Sequence, residues 1–149
     1  MNLIIKDINN ENYNDALNLK VRKDQEGFIE TVEECLDEAK RVPLWRTVGI
    51  YCKNDLIGFA MYGLWKMEGD CGRLWLDRFM IGEDFQGRGY GKESLKLLVD
   101  RLYKEYNRNE IYISVYDNNI LAIRMYEKIG FKFNGELDIN GEKIMKLEL

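Results

Sequence analysis

Three alternating glycines in residues 86–91, Gln-Gly-Arg-Gly-Tyr-Gly, constrain the fold of this chain more than any other stretch. They follow an apolar run at residues 74–81 that predicts a strand, and Leu95, Leu98 and Leu102 then recur at helical spacing. Closely spaced glycines let successive backbone N–H groups turn toward one point, and the start of a helix adds its positive dipole there. A strand, a glycine loop and a helix in this order predict an anion site in a domain that mixes strands with helices.

Two common phosphate-binding motifs do not fit this loop. Gly82 and Gly87 have the spacing of a Walker A motif, but Arg88 and Gly89 stand where lysine and serine or threonine are needed. A dinucleotide fingerprint fails because Lys92 takes the place of its third glycine. The loop therefore predicts either an anion site of another kind or a plain glycine-rich connection.

The remaining segments predict further strands and helices on both sides of the loop. Strands are expected at residues 3–8, 48–53, 56–62, 111–115, 131–137 and 143–149. The second and third are joined as a hairpin at Asn54-Asp55, and the last two as a hairpin around Asn140-Gly141. Helices are expected at residues 13–21, along a stripe that begins at Ile29, and from Asn118 or Asn119 to Gly130. This order describes one mixed α/β or α+β domain over residues 1–149, with no linker.

The chain contains no histidine, which excludes a Ser-His-Asp triad, a Cys-His pair and a His-ligated zinc site. Its three cysteines lie far apart, so they predict neither a disulfide framework nor a zinc ribbon, and we expect no metal. A general base must be a carboxylate, a cysteine, a tyrosine, a lysine, the amino terminus or water. With no signal sequence and no run of about 18 apolar residues, we expect a cytoplasmic protein without a membrane segment.

Acidic residues are concentrated near the amino terminus. Residues 7–38 contain ten aspartates and glutamates but three lysines and arginines. An acidic front with a mildly basic remainder argues against nucleic-acid binding, which needs a basic face. It permits a cationic ligand on one side of the domain and an anionic ligand on the other.

Two motifs resemble those of the GNAT superfamily of N-acetyltransferases. Residues 86–91 resemble its motif A, Gln-x-x-Gly-x-Gly, and residues 119–131 resemble its motif B, with Met125 in place of leucine. The order of predicted elements is similar to that of the family over essentially the whole chain. Residues 57–62, Ile-Gly-Phe-Ala-Met-Tyr, and 76–81, Leu-Asp-Arg-Phe-Met-Ile, are most similar to the spermidine/spermine N-acetyltransferases.

The resemblance implies a fold and a cofactor site. The fold is a central mixed, mostly antiparallel sheet of six to seven strands flanked by about four helices. Two splayed parallel strands, ending at Ile81 and Val115, would hold acetyl-CoA. The implied cofactor-binding residues are Phe79, Met80, Ile81, Gln86, Gly87, Arg88, Gly89, Tyr90, Gly91, Lys92, Asn119, Ala122 and Tyr126. From the residues alone, Asn119 is equally well interpreted as a helix N-cap.

The resemblance also implies two catalytic residues. Tyr126 would protonate the departing thiolate, although its position on an apolar helix face also fits a core tyrosine. Asp77 matches the acidic base position of the polyamine enzymes and would deprotonate the amine directly or through water, although it also fits a structural or substrate-orienting carboxylate. Strand alternation places Arg78 on the opposite face from Asp77. Among the acidic residues of the front, Glu26 and Glu30 are the expected substrate contacts, together with Asp77.

The expected function is direct transfer of acetyl from acetyl-CoA to a primary amine of spermine, spermidine or a related diamine. The alternatives are a GNAT enzyme for aminoglycosides or protein N-termini and a non-catalytic acetyl-CoA-binding module. The resemblance further implies a homodimer.

Overall fold

A computed structural model describes residues 2–149 of the chain. Within this range it contains seven strands and four helices. In chain order they are β1 (Leu3–Asp7), α1 (Tyr13–Leu17), α2 (Val32–Arg41), β2 (Arg46–Cys52), β3 (Asp55–Trp65), β4 (Arg73–Ile81), α3 (Tyr90–Tyr106), β5 (Glu110–Val115), α4 (Ile120–Ile129), β6 (Lys132–Leu137) and β7 (Lys143–Glu148).

All seven strands form one sheet in the order β1-β2-β3-β4-β5-β7-β6. Every neighbouring pair is antiparallel except β4 and β5, which are parallel. The mixed, mostly antiparallel sheet flanked by helices confirms the expected fold. The two hairpins at residues 46–65 and 132–148 also confirm the turn signals at residues 54–55 and 140–141.

The parallel strands β4 and β5 pair at one register position, Trp75 with Tyr112. Beyond this position the ladder does not continue, so the strands diverge toward their ends at Ile81 and Val115. Residues 79–81 therefore have no strand partner on the β5 side of β4. This gap at the centre of the sheet is the feature that positions the site described below.

The sheet buries one apolar layer on each face. On one face α3 and α4 contribute side chains such as Leu95, Leu98 and Tyr126. On the other face α1 and α2 pack through Ala16 and Leu36. Each fully buried leucine of this kind contributes roughly 1.5–3 kcal/mol relative to an exposed one. No helix among residues 2–149 is both long and apolar enough to cross a membrane.

Helix α1 is shorter than the sequence predicts. It ends at Leu17, not at residue 21. Three residues later the Lys20 carbonyl accepts a hydrogen bond of 2.7 Å from the Glu83 amide, a tertiary contact of the loop that follows the helix. Val21 consequently belongs to the connecting loop.

Helix α2 also begins later than expected, at Val32, so Ile29 lies outside it. Thr31 ends the loop as the N-cap: its Oγ1 accepts the Glu34 amide at 3.1 Å, and the Glu34 carboxylate accepts the Thr31 amide at 3.0 Å. This capping box fixes the first turn, while the apolar period that includes Ile29 reflects packing of the loop against the same core.

A β-bulge in β4 contradicts the expectation that Asp77 and Arg78 lie on opposite faces. Met61 of β3 pairs with Arg78 and Tyr62 pairs with Leu76, which leaves Asp77 as the extra residue. A bulge shifts the alternation of side chains by one position, so Asp77 and Arg78 project to the same side of the sheet. The Arg78 guanidinium contacts the Asp77 carboxylate directly.

Candidate active site

A cavity of about 650 Å³ opens where β4 and β5 diverge. Its walls come from the loop at residues 21–30, the ends of β4 and β5, the glycine loop with the first turn of α3, and helix α4. The turn between β6 and β7 contributes one further side chain, Glu142. Segments distant in sequence thus converge on the gap that the parallel strands leave.

Most of the expected site residues line this cavity. They are Glu26, Glu30, Asp77, Phe79, Met80, Ile81, Gln86, Gly87, Gly91, Asn119, Ala122 and Tyr126. Four expected cofactor residues, Arg88, Gly89, Tyr90 and Lys92, do not line it. The Arg88 guanidinium lies 6.0 Å from the centre of the Phe85 ring, and the Tyr90 hydroxyl lies 3.7 Å from Cys52 Sγ. The Arg88 and Tyr90 side chains thus have partners outside the cavity, and the loop glycines that line it are Gly87 and Gly91.

The glycine loop supplies a helix N-terminus with no capping side chain. Gly87 and Gly89 have φ values of +79° and +83°, and Gly89 is itself the N-cap of α3. A Cβ on Gly91 would lie 3.2 Å from Met125 Sδ, so this glycine lets α3 approach α4 closely. The first N–H groups of α3 have no side-chain acceptor at the cap and are suited to an anion.

Replacing Gly89 with alanine is expected to raise the KM for the expected cofactor, acetyl-CoA, roughly 5- to 30-fold. A non-glycine residue in the left-handed region costs about 1–2 kcal/mol, which the free loop relieves by moving its N–H groups and which anion binding must restore. The KM for the amine should stay unchanged. Steady-state kinetics with each substrate varied in turn measure both constants, and Gly135→Ala, at φ +88° in exposed β6, is the matched control. An unchanged KM for acetyl-CoA would contradict the assignment of an anion to this helix N-terminus.

The Gln86 side chain ties the loop wall to the end of β4. Its Nε2 donates to the Ile81 carbonyl at 2.8 Å and to Gln25 Oε1 at 2.8 Å, and Gln25 Nε2 donates back at 3.1 Å. The amide is therefore used within the protein. Its contribution to a cofactor site is to hold the walls in place.

Asn119 occupies the N-cap position of α4, but its side chain makes no capping hydrogen bond. The same residue lines the cavity. The capping interpretation of its side chain is therefore not realised among residues 2–149, and the amide is available to a ligand.

Tyr126 is held rigidly at the back of the cavity. It is 8% exposed, and its ring packs edge-on against Phe131 with 5.6 Å between centroids. Burial raises the pKa of the Tyr126 hydroxyl well above its ordinary value, and the negative charge of Glu142 adds to this. The phenol is thus protonated at neutral pH, as a proton donor must be.

Asp77 reaches the cavity because of the bulge. Burial raises the pKa of its carboxyl to about 6, the Arg78 guanidinium lowers it, and Glu38 and Glu30 raise it. Arg78 Nε also lies 2.6 Å from Glu30 Oε2, and its NH2 lies 3.9 Å from Glu38 Oε1. One guanidinium therefore sits among three carboxylates. A carboxyl with a pKa of about 6 lies in the range in which a general base is effective near neutral pH.

Glu142 is a cavity-lining acidic residue that sequence reasoning missed, far in sequence from the acidic front. Burial raises the pKa of its carboxyl to about 7, followed by a hydrogen bond with Asp138 and the charges of Asp138 and Glu30, whereas Arg78 lowers it. Glu142 directly follows the Asn140-Gly141 turn, which predicts a hairpin but not the direction of the next side chain. Nothing in the sequence pattern separates Glu142 from the many exposed acidic residues.

The side chains that line the cavity carry a net negative formal charge. Five carboxylates (Glu26, Glu30, Glu34, Asp77 and Glu142) and two guanidinium groups (Arg22 and Arg78) line it, which gives a formal charge of −3. Among residues 2–149 no group of three or more cysteines and acidic residues is arranged to hold a metal ion. The cavity thus combines the protonated phenol of Tyr126, the Asp77 carboxyl with a pKa of about 6, and a wall of acidic side chains.

Comparisons with known proteins agree with this geometry. The chain matches the profile of the acetyltransferase (GNAT) family over residues 5–131. It is 46% identical to the spermine/spermidine N(1)-acetyltransferase of Bacillus subtilis (strain 168), in a match that covers 100% of both chains.

Two solved structures share the fold. The spermidine N-acetyltransferase of Vibrio cholerae in complex with CoA and spermine has a TM-score of 0.73 and 18% identity, with 99% of this chain and 94% of that chain covered. An aminoglycoside acetyltransferase in complex with coenzyme A has a TM-score of 0.79 and 18% identity, with coverages of 99% and 95%. At such identities the likeness shows the fold alone.

Proposed function

Because this chain belongs to the acetyltransferase (GNAT) family, we propose that it transfers the acetyl group of acetyl-CoA to a primary amine of spermine or spermidine. The observation that carries the substrate class is the cavity with five carboxylates and two guanidinium groups. A flexible chain of ammonium groups is the electrostatic complement of such a wall. The full-length relative at 46% identity, a spermine/spermidine N(1)-acetyltransferase, supports the same substrate class.

The residues present fit acetyl-CoA. Phe79, Met80 and Ile81 line the cavity beyond the last β4–β5 pair. Apart from the Ile81 carbonyl, which accepts from Gln86, the backbone groups that face the gap are open to an extended amide-bearing arm. The uncapped N-terminus of α3 suits the pyrophosphate, and Asn119 and Ala122 line the opposite side. When bound, acetyl-CoA supplies the acetyl group as a thioester.

Asp77 acts in this proposal as the proton acceptor for the substrate ammonium, directly or through one water. Only the neutral amine has the lone pair that attacks a carbonyl carbon. A carboxyl with a pKa of about 6 is mostly ionised at neutral pH and still takes up a proton readily. The same negative charge holds the ammonium in the cavity before deprotonation.

Tyr126 acts as the proton donor to the departing thiolate. Overall, one ammonium and one thioester give one amide, one thiol and one proton. The proton released to solvent leaves by way of Asp77, and the second amine proton replaces the one that Tyr126 donates. Transfer is direct, since no cysteine among residues 2–149 lines the cavity to carry an acyl group.

Two finer features of the proposal concern the setting of the enzyme. A cytoplasmic location is consistent with Cys35, Cys52 and Cys71, which are all free thiols. A homodimer is consistent with β6, the outer strand of the sheet, where Phe133 and Leu137 are 42% and 63% exposed. Sedimentation of the purified protein tests the second feature.

Thiol release from acetyl-CoA, measured with a panel of amines, tests the function. The panel contains spermine, spermidine, a short diamine, an aminoglycoside and an N-terminal peptide. We expect kcat/KM to be highest for spermine or spermidine, because several separated positive charges match the anionic wall. Preference for the aminoglycoside or the peptide would assign another substrate, and tight acetyl-CoA binding without turnover would indicate a binding module.

A further inference from the structure

We propose that Glu142 selects polyamines over monoamines by binding an ammonium group of the substrate other than the one that is acetylated. This inference rests on the proposed function and identifies Glu142 as the residue that distinguishes amines by their length and charge. Three observations carry it: the charge balance inside the cavity, the rigid turn that presents Glu142, and the groups that face it.

Among the carboxylates that line the cavity, Glu142 is the one that is half-buried and has no counter-ion. Arg78 contacts Asp77 and Glu30, while the Glu34 carboxylate is hydrogen-bonded to Thr31. Glu26 is exposed and solvated. Among residues 2–149, no lysine or arginine lies within ion-pair distance of Glu142.

The neighbouring lysine does not neutralise it either. Lys143 follows Glu142 directly in the chain, but its Nζ lies over the ring of Phe133, 5.7 Å from the centroid. A half-buried carboxylate without a cation is costly unless a ligand supplies the cation. The missing charge is the kind that a second ammonium group of spermidine or spermine provides.

Asp138 fixes the position of Glu142. The Asp138 carboxylate accepts the amide of Asn140 at 2.8 Å and the amide of Glu142 at 2.9 Å, and the Asp138 amide donates to the Glu142 carbonyl at 2.9 Å. Gly141, at φ +81°, completes the turn. The side chain is thus presented from a hydrogen-bonded turn at the start of β7 and enters the cavity at a set place, as a specificity residue must.

The groups that face Glu142 make its charge responsive to the substrate. Asp138 from its own turn and Glu30 from the opposite wall raise its pKa in addition to burial, Arg78 of β4 lowers it, and Tyr126 of α4 faces it as a neutral phenol. As pH rises through about 7, Glu142 loses its proton and gains the charge that attracts an ammonium. Binding of a polyamine should therefore strengthen over this window and release a proton from Glu142 below it.

Calorimetric titration of spermidine into the protein with CoA bound tests the proposal, alongside steady-state kinetics. In Glu142→Gln we expect the Kd and the KM for spermidine to rise about 10- to 100-fold, the worth of one hydrogen bond to a charged group. The value of kcat should stay within about threefold, because Asp77 and Tyr126 remain. The Kd of wild type should fall as pH rises through about 7, and that of Glu142→Gln should not.

Three comparisons separate a selective role from a structural one. Propylamine, a monoamine, should be turned over equally by wild type and Glu142→Gln, so the preference for spermidine falls by the same 10- to 100-fold. Glu142→Asp keeps the charge and should retain most of the preference. Glu148→Gln removes the same charge at the exposed end of β7, where Lys146 keeps Glu110 as a partner at 3.0 Å, and should match wild type.

The possible contrary results distinguish an error in the role of Glu142 from an error in the proposed function. Equal spermidine Kd in wild type and Glu142→Gln overturns the role of Glu142 and leaves the proposed function standing. A loss that is the same for propylamine and spermidine also overturns it, because it would indicate a general defect. A wild type that binds spermidine in a Glu142-dependent way but never acetylates it overturns the proposed function and keeps the binding site.

Discussion

Replacing Tyr126 with phenylalanine is expected to lower kcat by about 100-fold or more, with little change in either KM. The phenol lies in the cavity, and burial keeps it protonated at neutral pH. Loss of the hydroxyl leaves the thiolate to depart without a positioned donor. Because the step affected is expulsion of the leaving group, the loss should appear in kcat rather than in binding.

The fold should tolerate this substitution. The Tyr126 hydroxyl makes no hydrogen bond to another residue among 2–149, and the ring contact with Phe131 is kept by phenylalanine. Tyr112→Phe is the matched control, because Tyr112 is also 8% exposed but lies outside the cavity. If Tyr126→Phe turned over within about threefold of wild type, Tyr126 would be a core tyrosine and not the acid.

Replacing Asp77 with asparagine is expected to lower kcat by about 100-fold or more near neutral pH. A base acts only when ionised, so wild-type activity should rise with pH through about 6, the pKa of Asp77, and then level off. In the variant this rise of activity through about pH 6 should be absent. Its rate should instead keep rising toward alkaline pH, because solvent must then supply the neutral amine.

A pH profile of kcat from about pH 5 to pH 9 measures this difference. Asp100→Asn, which removes an exposed charge paired with Lys104 on α3, is the control and should retain the wild-type profile. The variant should be no less stable than wild type at neutral pH. The folded-state pKa of Asp77 is raised, so its contribution to stability is complete at low pH and is lost as pH rises through about 6. If kcat of Asp77→Asn still rose with pH through about 6, a group other than Asp77 would be the proton acceptor.

The sequence predicts the sheet, its hairpins and the strand–loop–helix segment, because these depend on local patterns. Apolar runs and turn residues give the strands, and residues 86–91 mark the start of α3 from their glycines alone. Two helix boundaries were wrong. Helix α1 ends early in a loop that Lys20 ties to Glu83, and helix α2 starts late because Thr31 and Glu34 form a local capping box. Such bonds are not visible in hydrophobic period.

Most of the expected site residues were found through motifs, and Glu26 and Glu30 through the acidic front of the chain. Tyr126, Asn119 and residues 79–81 were found through the resemblance, and the structure brings them to one cavity. Arg78 was placed on the wrong face, because strict alternation cannot anticipate a bulge at Asp77. Glu142 was missed because it lies 16 residues after Tyr126 and reaches the cavity only through the turn between β6 and β7. No periodic pattern in the sequence indicates that the two residues are close.

The most direct test of polyamine acetylation is the mass of the product formed when the purified protein is incubated with acetyl-CoA and spermine. We expect spermine that is heavier by one acetyl group, formed together with an equal amount of free CoA, and almost none of it with Tyr126→Phe. Release of CoA without any acetylated spermine, or no consumption of acetyl-CoA at all, would contradict it.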